Sequence, residues 1–168
     1  MEFKELVKKR ESVRMFNGEK VSDEVINNIL EYGRLAPTAK NNQPEKIIVV
    51  KSEEGIKLID ECTPCRYNAG VVLIVCADKS IAWSKEDYSS YEMDASIVAT
   101  HLLLGSTNEG VDSIWVKMFN EEKIKELFKL DDSVIPVCLI PIGYRKDEYK
   151  GSINHLNRKP LSDLVIYK

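Results

Sequence analysis

The stretch D-A-S-I-V-A-T-H-L-L-L-G-S-T-N-E-G, residues 94–110, dominates the interpretation of this chain. It has the length of a helix, and apolar side chains cover most of its circumference rather than a single stripe. A surface helix does not need apolar residues on all sides. The pattern therefore predicts a helix that lies in the core or at an interface between subunits.

Strand and helix patterns alternate on both sides of this helix. The run G-V-V-L-I-V-C-A, residues 70–77, is apolar on both faces and predicts a central strand. Ser22 is expected to cap a helix that stops at Ala36, because Pro37 disfavours helical geometry before it. Further strands are predicted at 46–51, 113–117 and 134–144, and further helices at 3–10, at 53–62 and after Asn120. Few strands and about five helices predict an α+β fold, with helices around one sheet.

Pro136 and Pro141 lie inside the last predicted strand. Each removes one hydrogen-bond donor from the strand ladder. We therefore expect them at a sheet edge or at an irregularity of the pairing.

Length and charge restrict the class of protein. The 168 residues correspond to about one domain, taken here as 1–168. With 24 basic and 27 acidic residues the net charge is −3, so no nucleic-acid or acidic-membrane partner is expected. The longest apolar run, residues 69–77, is far shorter than the roughly 20 residues of a membrane span. The first ten residues are amphipathic rather than an export signal, which predicts a cytoplasmic protein with reduced thiols.

Two glycine-rich nucleotide-binding motifs are absent. Gly105 and Gly110 have P-loop spacing, but Val111 and Asp112 follow where lysine and a hydroxyl residue are needed. No G-x-G-x-x-G occurs, so a Rossmann dinucleotide site has no support.

Cys62 and Cys65 form a C-T-P-C sequence like that of thioredoxin-like proteins, but here a helix ends at the pair instead of starting there. Two ordinary thiols on a turn, a redox pair and part of a metal site are the three interpretations. A zinc site would need two more ligands, and His101 and His155 are far apart in sequence. We therefore predict no metal.

No residue is predicted to act as a catalytic acid or base. His101 is interpreted as a core or interface histidine, and no catalytic triad or carboxylate pair stands out. If the protein is an enzyme, a cofactor is expected to supply the reactive group.

Basic residues cluster at both ends of the chain. Arg10, Ser12 and Arg14 follow the first helix, and Arg158 and Lys159 lie near the C-terminus. Arginine forks together with a hydroxyl suit a phosphomonoester. A solvated charged face is the alternative for either cluster alone.

The loop 35–45 between a helix and a strand carries Asn41 and Gln43. Each amide offers a donor and an acceptor, which suits the edge of a planar heterocycle. A plain turn loop is the alternative.

Taken in order, these motifs resemble the flavin-dependent nitroreductase family. The matching pieces are R-x-S-V-R-x-F from Arg10, A-P-T-x-x-N-x-Q-P from Ala36, D-A-S from Asp94 with the following L-L-L, E-G and W-V, then I-G-Y and R-K-P-L. The resemblance implies helices around a mixed, mainly antiparallel sheet, in a domain-swapped homodimer with FMN at each subunit interface. It also implies that helix 94–110 is buried at or near that interface.

The resemblance also implies roles for particular residues. Arg10, Ser12 and Arg14 correspond to contacts with the FMN phosphate and ribityl chain, and Arg158 with Lys159 would complete the phosphate site. A segment that would pack on the flavin from the partner subunit consists of Pro37, Thr38 and Ala39. Amides at the polar edge of the flavin would come from Asn41 and Gln43. A strand end along the ring would consist of Trp115, Val116, Lys117 and Met118. The strand-end backbone would donate toward flavin N5.

The implied activity is transfer of reducing equivalents from NAD(P)H, through flavin N5, to a small oxidised acceptor such as a nitroaromatic or quinone, by a ping-pong mechanism. A reductive dehalogenase or ene-type reductase on the same scaffold, a non-catalytic FMN-binding protein, and thiol–disulfide exchange through Cys62 and Cys65 are alternatives. NADH and NADPH are both compatible with the motifs.

Three positions depart from the family pattern. Glu45 replaces a frequent tryptophan, Ala39 a small hydroxyl residue and Asp112 a frequent glycine, so the access path and substrate contacts are expected to differ. The segment 79–93, which contains Trp83, Tyr88 and Tyr91, is a candidate short lid. The alternative is that its aromatic side chains only close the core.

Overall fold

A four-stranded antiparallel sheet lies between two groups of helices in the computed structural model, which describes residues 2–168. The strands are β1 (Glu45–Val50), β2 (Val71–Asp78), β5 (Asp112–Ser113) and β6 (Val134–Gly143), in the order β1-β2-β6-β5, and β3 (Ser84–Lys85) with β4 (Tyr88–Ser89) forms a separate hairpin. The helices are α1 (Phe3–Lys9), α2 (Asp23–Arg34), α3 (Glu53–Cys62), α4 (Tyr91–Asn108), α5 (Glu121–Leu127) and α6 (Ile153–Leu156), with short 3-10 turns at Ala39–Asn41 and Leu161–Asp163. The predicted α+β class is confirmed. A parallel bridge between Ser12 and Ser113 makes the pairing mixed.

Strand β2 is the centre of the core, as its apolar sequence predicts. Its side chains alternate between two buried clusters, so Leu73 and Val75 face α2 and α4 while Val72 and Ile74 face α3 and α5. All four are fully buried. Burial on both faces explains the absence of polar alternation in this strand.

Helix α4 begins at Tyr91, three residues before the predicted start at Asp94. Ala95, Val98, Ala99 and Leu102 are fully buried in the cluster on that side of the sheet. Gly105 allows helices α2 and α4 to approach closely. A Cβ added there would lie 2.5 Å from the ring of Tyr32, too close for any other residue to fit without a shift. The helix is therefore a core helix, while Met93 and Thr100 remain exposed along its outer side.

The two prolines of β6 occur where the pairing is irregular, as expected. The register with β2 shifts between Val75 and Cys76, opposite Pro136. On the other side, Ile114 donates to the carbonyl of Pro141 at 3.3 Å, but Pro141 has no N–H to donate in return. The predicted strand 113–117 is consequently wrong as a continuous strand: pairing stops after Ser113 and resumes only at Val116, which exchanges two bonds with Leu139.

The remaining boundaries agree closely with the sequence patterns. Ser22 and Asn120 cap α2 and α5 through their side-chain oxygens, as expected. Helix α2 ends at Arg34 rather than at Ala36. Among residues 2–168, none of the helices combines the length and the apolar character needed to cross a membrane.

The C-terminal tail, residues 150–168, lies largely on the surface. Its large apolar side chains are unusually exposed, among them Ile153, Leu156, Leu161, Leu164, Ile166 and Tyr167. Phe3 and Val7 of α1 are exposed as well, at 68% and 40%.

Candidate functional site

A cavity of about 240 Å³ lies between the end of α1 and the C-terminal tail. We call it the arginine cavity; its lining residues are Arg10, Glu11, Ser12, Arg14, Ser152, Asn154, His155 and Arg158. The sequence analysis predicts five phosphate-binding residues from opposite ends of the chain. The structure brings four of them together in this cavity: Arg10, Ser12, Arg14 and Arg158. Lys159 is exposed and does not line the cavity.

The N-terminal wall is positioned by strand-like alternation. Val13 is fully buried, and its N–H donates to the carbonyl of Ser113 at 3.1 Å. Because neighbouring residues of an extended segment face opposite ways, Ser12 and Arg14 face outward. The arginine guanidinium of Arg14 donates to the Ser12 carbonyl at 3.3 Å.

A histidine hydrogen bond joins the C-terminal wall to α1. The Nε2 atom of His155 donates to the Lys8 carbonyl at 2.8 Å. The guanidinium of Arg158 donates to the carbonyls of Asn154 and Asn157, at 3.1 and 2.8 Å. These contacts fix the Arg158 side chain on the tail, where it lines the same cavity as Arg10 and Arg14.

The arginines of the cavity have no carboxylate partner. Within residues 2–168, Arg10, Arg14 and Arg158 form no ion pair. Burial and then the nearby charge of Arg158 lower the pKa of Arg10, while Glu11 opposes the shift. Convergent cations without acidic partners attract an anion, and guanidinium forks match the oxygens of a phosphate.

The acidic residue in the cavity wall forms its hydrogen bonds with groups other than Arg10, Arg14 and Arg158. Glu11 accepts hydrogen bonds from the Ser152 N–H at 2.7 Å and from the Arg145 guanidinium at 3.2 Å. Arg145 also binds Asp112, through Nε at 2.9 Å and Nη2 at 2.5 Å. The sequence patterns do not predict a role for Glu11, Arg145 or Tyr149. The one signal in the sequence is Asp112, which stands where the resembling family often has glycine and which binds Arg145 here.

The loop 37–43 lies outside the arginine cavity, and none of its residues lines it. Lys40, Asn41 and Gln43 adopt left-handed backbone geometry, with φ of 54°, 57° and 50°. The Gln43 side chain donates to the Asn41 carbonyl at 3.1 Å, and the Gln43 N–H donates to Thr38 Oγ1 at 3.1 Å. The side chains of Asn41 and Gln43 are exposed. One copy of the chain therefore presents this loop and the arginine cavity as two separate surfaces.

A buried carboxylate fixes this loop to α4. Asp94 is fully buried and accepts from the Ala39 N–H at 2.8 Å and from Ser90 Oγ at 2.6 Å. Sequence reasoning used Asp94 only as part of a motif and missed this role.

The segment 115–118 continues from Ser113, the residue that bridges Ser12. Trp115 is half-buried, Val116 is buried, and Met118 is 62% exposed. The Lys117 ammonium donates to the Val137 carbonyl at 3.1 Å, which ties it back onto β6. Val116 uses its N–H and carbonyl with Leu139, so that N–H is not free for a ligand.

The C-T-P-C turn is a structural connection. Thr63 Oγ1 donates to the Met118 carbonyl at 2.6 Å and accepts from the Cys65 N–H at 3.0 Å. Both thiols are buried and free, and burial raises the pKa of Cys62. These contacts favour ordinary thiols on a turn, because a reactive cysteine needs a lowered pKa. In the described chain no group of three or more potential metal ligands occurs.

The hairpin β3–β4 is joined to the loop 37–43. The Asn42 amide donates to the Ile81 carbonyl at 3.0 Å, and the Lys40 ammonium lies 5.9 Å from the Trp83 ring. Tyr88 is 49% exposed, whereas Tyr91 is in the first turn of α4 and packs on the core. Residues 91–93 of the predicted segment 79–93 therefore belong to α4, and Tyr91 is half-buried against the core.

Comparison with known proteins gives a consistent result. The family model described as Nitroreductase family matches residues 7–66 and 64–144. An Archaeoglobus fulgidus protein with the provisional name NADH dehydrogenase/NAD(P)H nitroreductase is 32% identical over 146 residues, which cover 83% of each chain. A crystal structure of a nitroreductase family protein from Clostridium difficile superposes with a TM-score of 0.92 at 35% identity, covering 100% of this chain and 99% of that one. A protein from Exiguobacterium sibiricum, solved in complex with FMN, shares the fold with a TM-score of 0.86 at 24% identity, covering 100% of this chain and 98% of that one.

Proposed function

Because this chain belongs to the nitroreductase family, we propose that it is an FMN-dependent oxidoreductase. It passes reducing equivalents from NAD(P)H to a small oxidised acceptor such as a nitroaromatic or a quinone. The observation that carries this proposal is the arginine cavity, where three guanidinium groups face one space without carboxylate partners.

The cavity fits the phosphate end of FMN. A phosphomonoester carries close to two negative charges at neutral pH and accepts several charge-assisted hydrogen bonds. Arg10, Arg14 and Arg158 supply the positive charge, and Ser12 supplies a hydroxyl. Lys159, outside the cavity wall, contributes at most long-range attraction.

When bound, FMN supplies hydride and electron chemistry at its N5 atom. The residues of this chain bind and orient it. Arg10, Arg14 and Arg158 would anchor the phosphate. The segment 115–118, which follows the Ser113 bridge to Ser12, would border the ring through the backbone of Trp115, Lys117 and Met118. Val116 is excluded as an N5 donor because its N–H is bonded to Leu139. No side chain is assigned a role as acid or base.

The complete site requires two copies of the chain. The arginine cavity, at about 240 Å³, is smaller than the roughly 300–1,000 Å³ of complete ligand sites. The loop segment Pro37, Thr38 and Ala39, which would pack on the flavin, is outside the cavity of its own chain. We infer that the loop of one subunit covers the flavin held by the arginines of the other.

The exposed apolar tail supports the same arrangement. Ile153, Leu156 and Ile166 are 90%, 86% and 83% exposed in the single chain. Several large exposed apolar side chains within one short segment are typical of a surface that another molecule covers. A tail exchanged between two copies would bury these side chains in a domain-swapped homodimer.

Flavin binding and reduction test the proposal directly. Purified protein should bind FMN, and NADH or NADPH should bleach the flavin absorbance under anaerobic conditions. Nitroaromatics, quinones, enones and halophenols, added one at a time, should identify the acceptor class by reoxidation. Failure to bind FMN would refute the proposal, whereas FMN that binds but is reduced by neither nicotinamide would indicate a non-catalytic flavin-binding protein.

A further inference from the structure

An acidic residue in an anion site normally weakens the site, and the arginine cavity contains one. Glu11 lines the cavity next to Arg10, and its side chain is only 10% exposed. A carboxylate at low dielectric would pair strongly with the nearest guanidinium if it were free to do so. It would then compete with the phosphate for Arg10.

Glu11 is prevented from doing so by contacts outside the cavity. Its Oε2 accepts from Arg145 Nη1 at 3.2 Å, and its Oε1 accepts from the Ser152 N–H at 2.7 Å. The Tyr149 hydroxyl, which donates to the Ser12 carbonyl at 3.2 Å, also lies 3.4 Å from Glu11 Oε1. Both carboxylate oxygens are therefore occupied by partners other than Arg10 and Arg158.

Arg145 is itself held in place from the opposite side. Asp112 accepts from the Nε and Nη2 atoms of Arg145 and from its backbone N–H, the last at 3.0 Å. The guanidinium also lies 5.5 Å from the Tyr149 ring. Asp112 raises the pKa of Arg145, chiefly through the side-chain hydrogen bonds, which keeps the guanidinium charged.

We propose that Arg145 is a positioning residue that withdraws the negative charge of Glu11 from the arginine cavity, so that Arg10, Arg14 and Arg158 meet the phosphate of FMN without an internal competitor. Arg145 does not line the cavity and acts only through Glu11. This inference rests on the proposed function. It predicts that removing a cation which does not touch the ligand weakens binding of the ligand's phosphate.

The test compares FMN with riboflavin, which lacks the phosphate, by quenching of flavin fluorescence on binding. Arg145→Met should weaken FMN about tenfold, the effect of losing one charge-assisted hydrogen bond, and should leave riboflavin unchanged. The matched control is Lys51→Met, which removes the same charge from an exposed pair with Asp23, away from the cavity. It should leave the affinity for both ligands unchanged.

Second substitutions in the Arg145→Met variant identify which carboxylate, that of Glu11 or that of Asp112, weakens FMN binding when Arg145 is lost. Adding Glu11→Gln to Arg145→Met should restore the affinity for FMN, because the amide can still accept from Ser152 but carries no charge. Adding Asp112→Asn should not restore it, since Asp112 does not line the cavity. Equal rescue by both changes would mean that only net charge matters and would overturn the proposal.

Further outcomes distinguish a positioning role of Arg145 from a merely structural role and from a wrong phosphate site. Equal weakening of FMN and riboflavin by Arg145→Met would show a merely structural role and overturn the inference. If Arg145→Met does not fold, Glu11→Gln alone decides: it should bind FMN at least as tightly as the wild type, and a severalfold loss would overturn the inference. A wild-type protein that binds FMN no better than riboflavin would instead contradict the phosphate site of the proposed function.

Discussion

The Asp94 carboxylate, fully buried in the first turn of α4, accepts a hydrogen bond from the backbone N–H of Ala39, 55 residues earlier in the chain, at 2.8 Å. Its second oxygen accepts from Ser90 Oγ at 2.6 Å. The loop it holds contains consecutive left-handed residues, Lys40 and Asn41, which cost free energy outside glycine. The geometry of the loop therefore depends on a tertiary contact with the core helix.

Replacing Asp94 should loosen this loop. Asp94→Ala leaves the Ala39 N–H without its acceptor and should lower the free energy of unfolding by about 1–3 kcal/mol. The effect is measured by urea denaturation, and trypsin should cleave faster after the exposed Lys40. Asp94→Asn keeps an acceptor oxygen and is the matched control, with a smaller loss. Equal cleavage rates for wild type and Asp94→Ala would contradict the role of this contact.

The two basic residues of the tail should differ in their effect on cofactor binding. Arg158→Ala should weaken FMN about 10- to 100-fold, because a guanidinium in the cavity wall is lost, and should spare riboflavin. Lys159→Ala, one residue away and outside the wall, should change the affinity for FMN by less than about twofold, as expected of an exposed charge. Equilibrium titration measures both, and a larger effect from Lys159 would mean that the phosphate contact is misassigned.

The oligomeric state should depend on the apolar tail. Ile166→Asp puts a charge on a side chain that is 83% exposed in the single chain, so its folding should be little affected. A homodimer that buries this residue should dissociate, which light scattering after gel filtration detects as a halved mass. Lys168→Asp, at the exposed end of the same tail, is the control and should leave the mass unchanged. A monomeric wild type would reject the two-copy site.

Two buried cysteines should make the protein less stable in alkali. Burial raises the pKa of both Cys76 and Cys138 to about 12, from an ordinary value of 9.0. The unfolded chain therefore loses these protons at lower pH than the folded chain does. Their contribution to stability is complete below pH 9 and is lost as the pH rises from about 9 to about 12.

Urea denaturation of the wild type and of Cys76→Ala across this range tests the prediction. The free energy of unfolding should fall less steeply with pH in the variant, although its value at pH 7 is lower because of the lost packing. Identical slopes for the two proteins would refute the assignment. The difference in the free energy of unfolding between wild type and Cys76→Ala, taken at each pH, cancels the contribution of other groups that titrate in alkali.

Local patterns were sufficient for most of the elements. Ser22 and Asn120 cap their helices because capping needs only a few consecutive residues. The unbroken apolar run of β2 predicted burial on both faces, and the outcome confirms it. The apolar pattern predicts the start of α4 three residues too late, because Tyr91, Glu92 and Met93 lie before the pattern begins although they form the first turn.

The strand predicted at 113–117 shows where local patterns fail. Its residues have strand composition, but the partner strand supplies Pro141, which cannot donate. Whether a segment pairs depends on the groups opposite it, and these are known only once the register is established.

The sequence by itself determined the α+β elements, the burial of α4, and the residue types around the arginine cavity, because side-chain periodicity and residue chemistry are local properties. Only the tertiary structure decided that Arg10 and Arg158 share a cavity, that Arg145 rather than Arg10 takes the charge of Glu11, and that Asp94 holds Ala39. A charged pair forms where distance and desolvation favour it, and both depend on the folded arrangement of residues far apart in the chain.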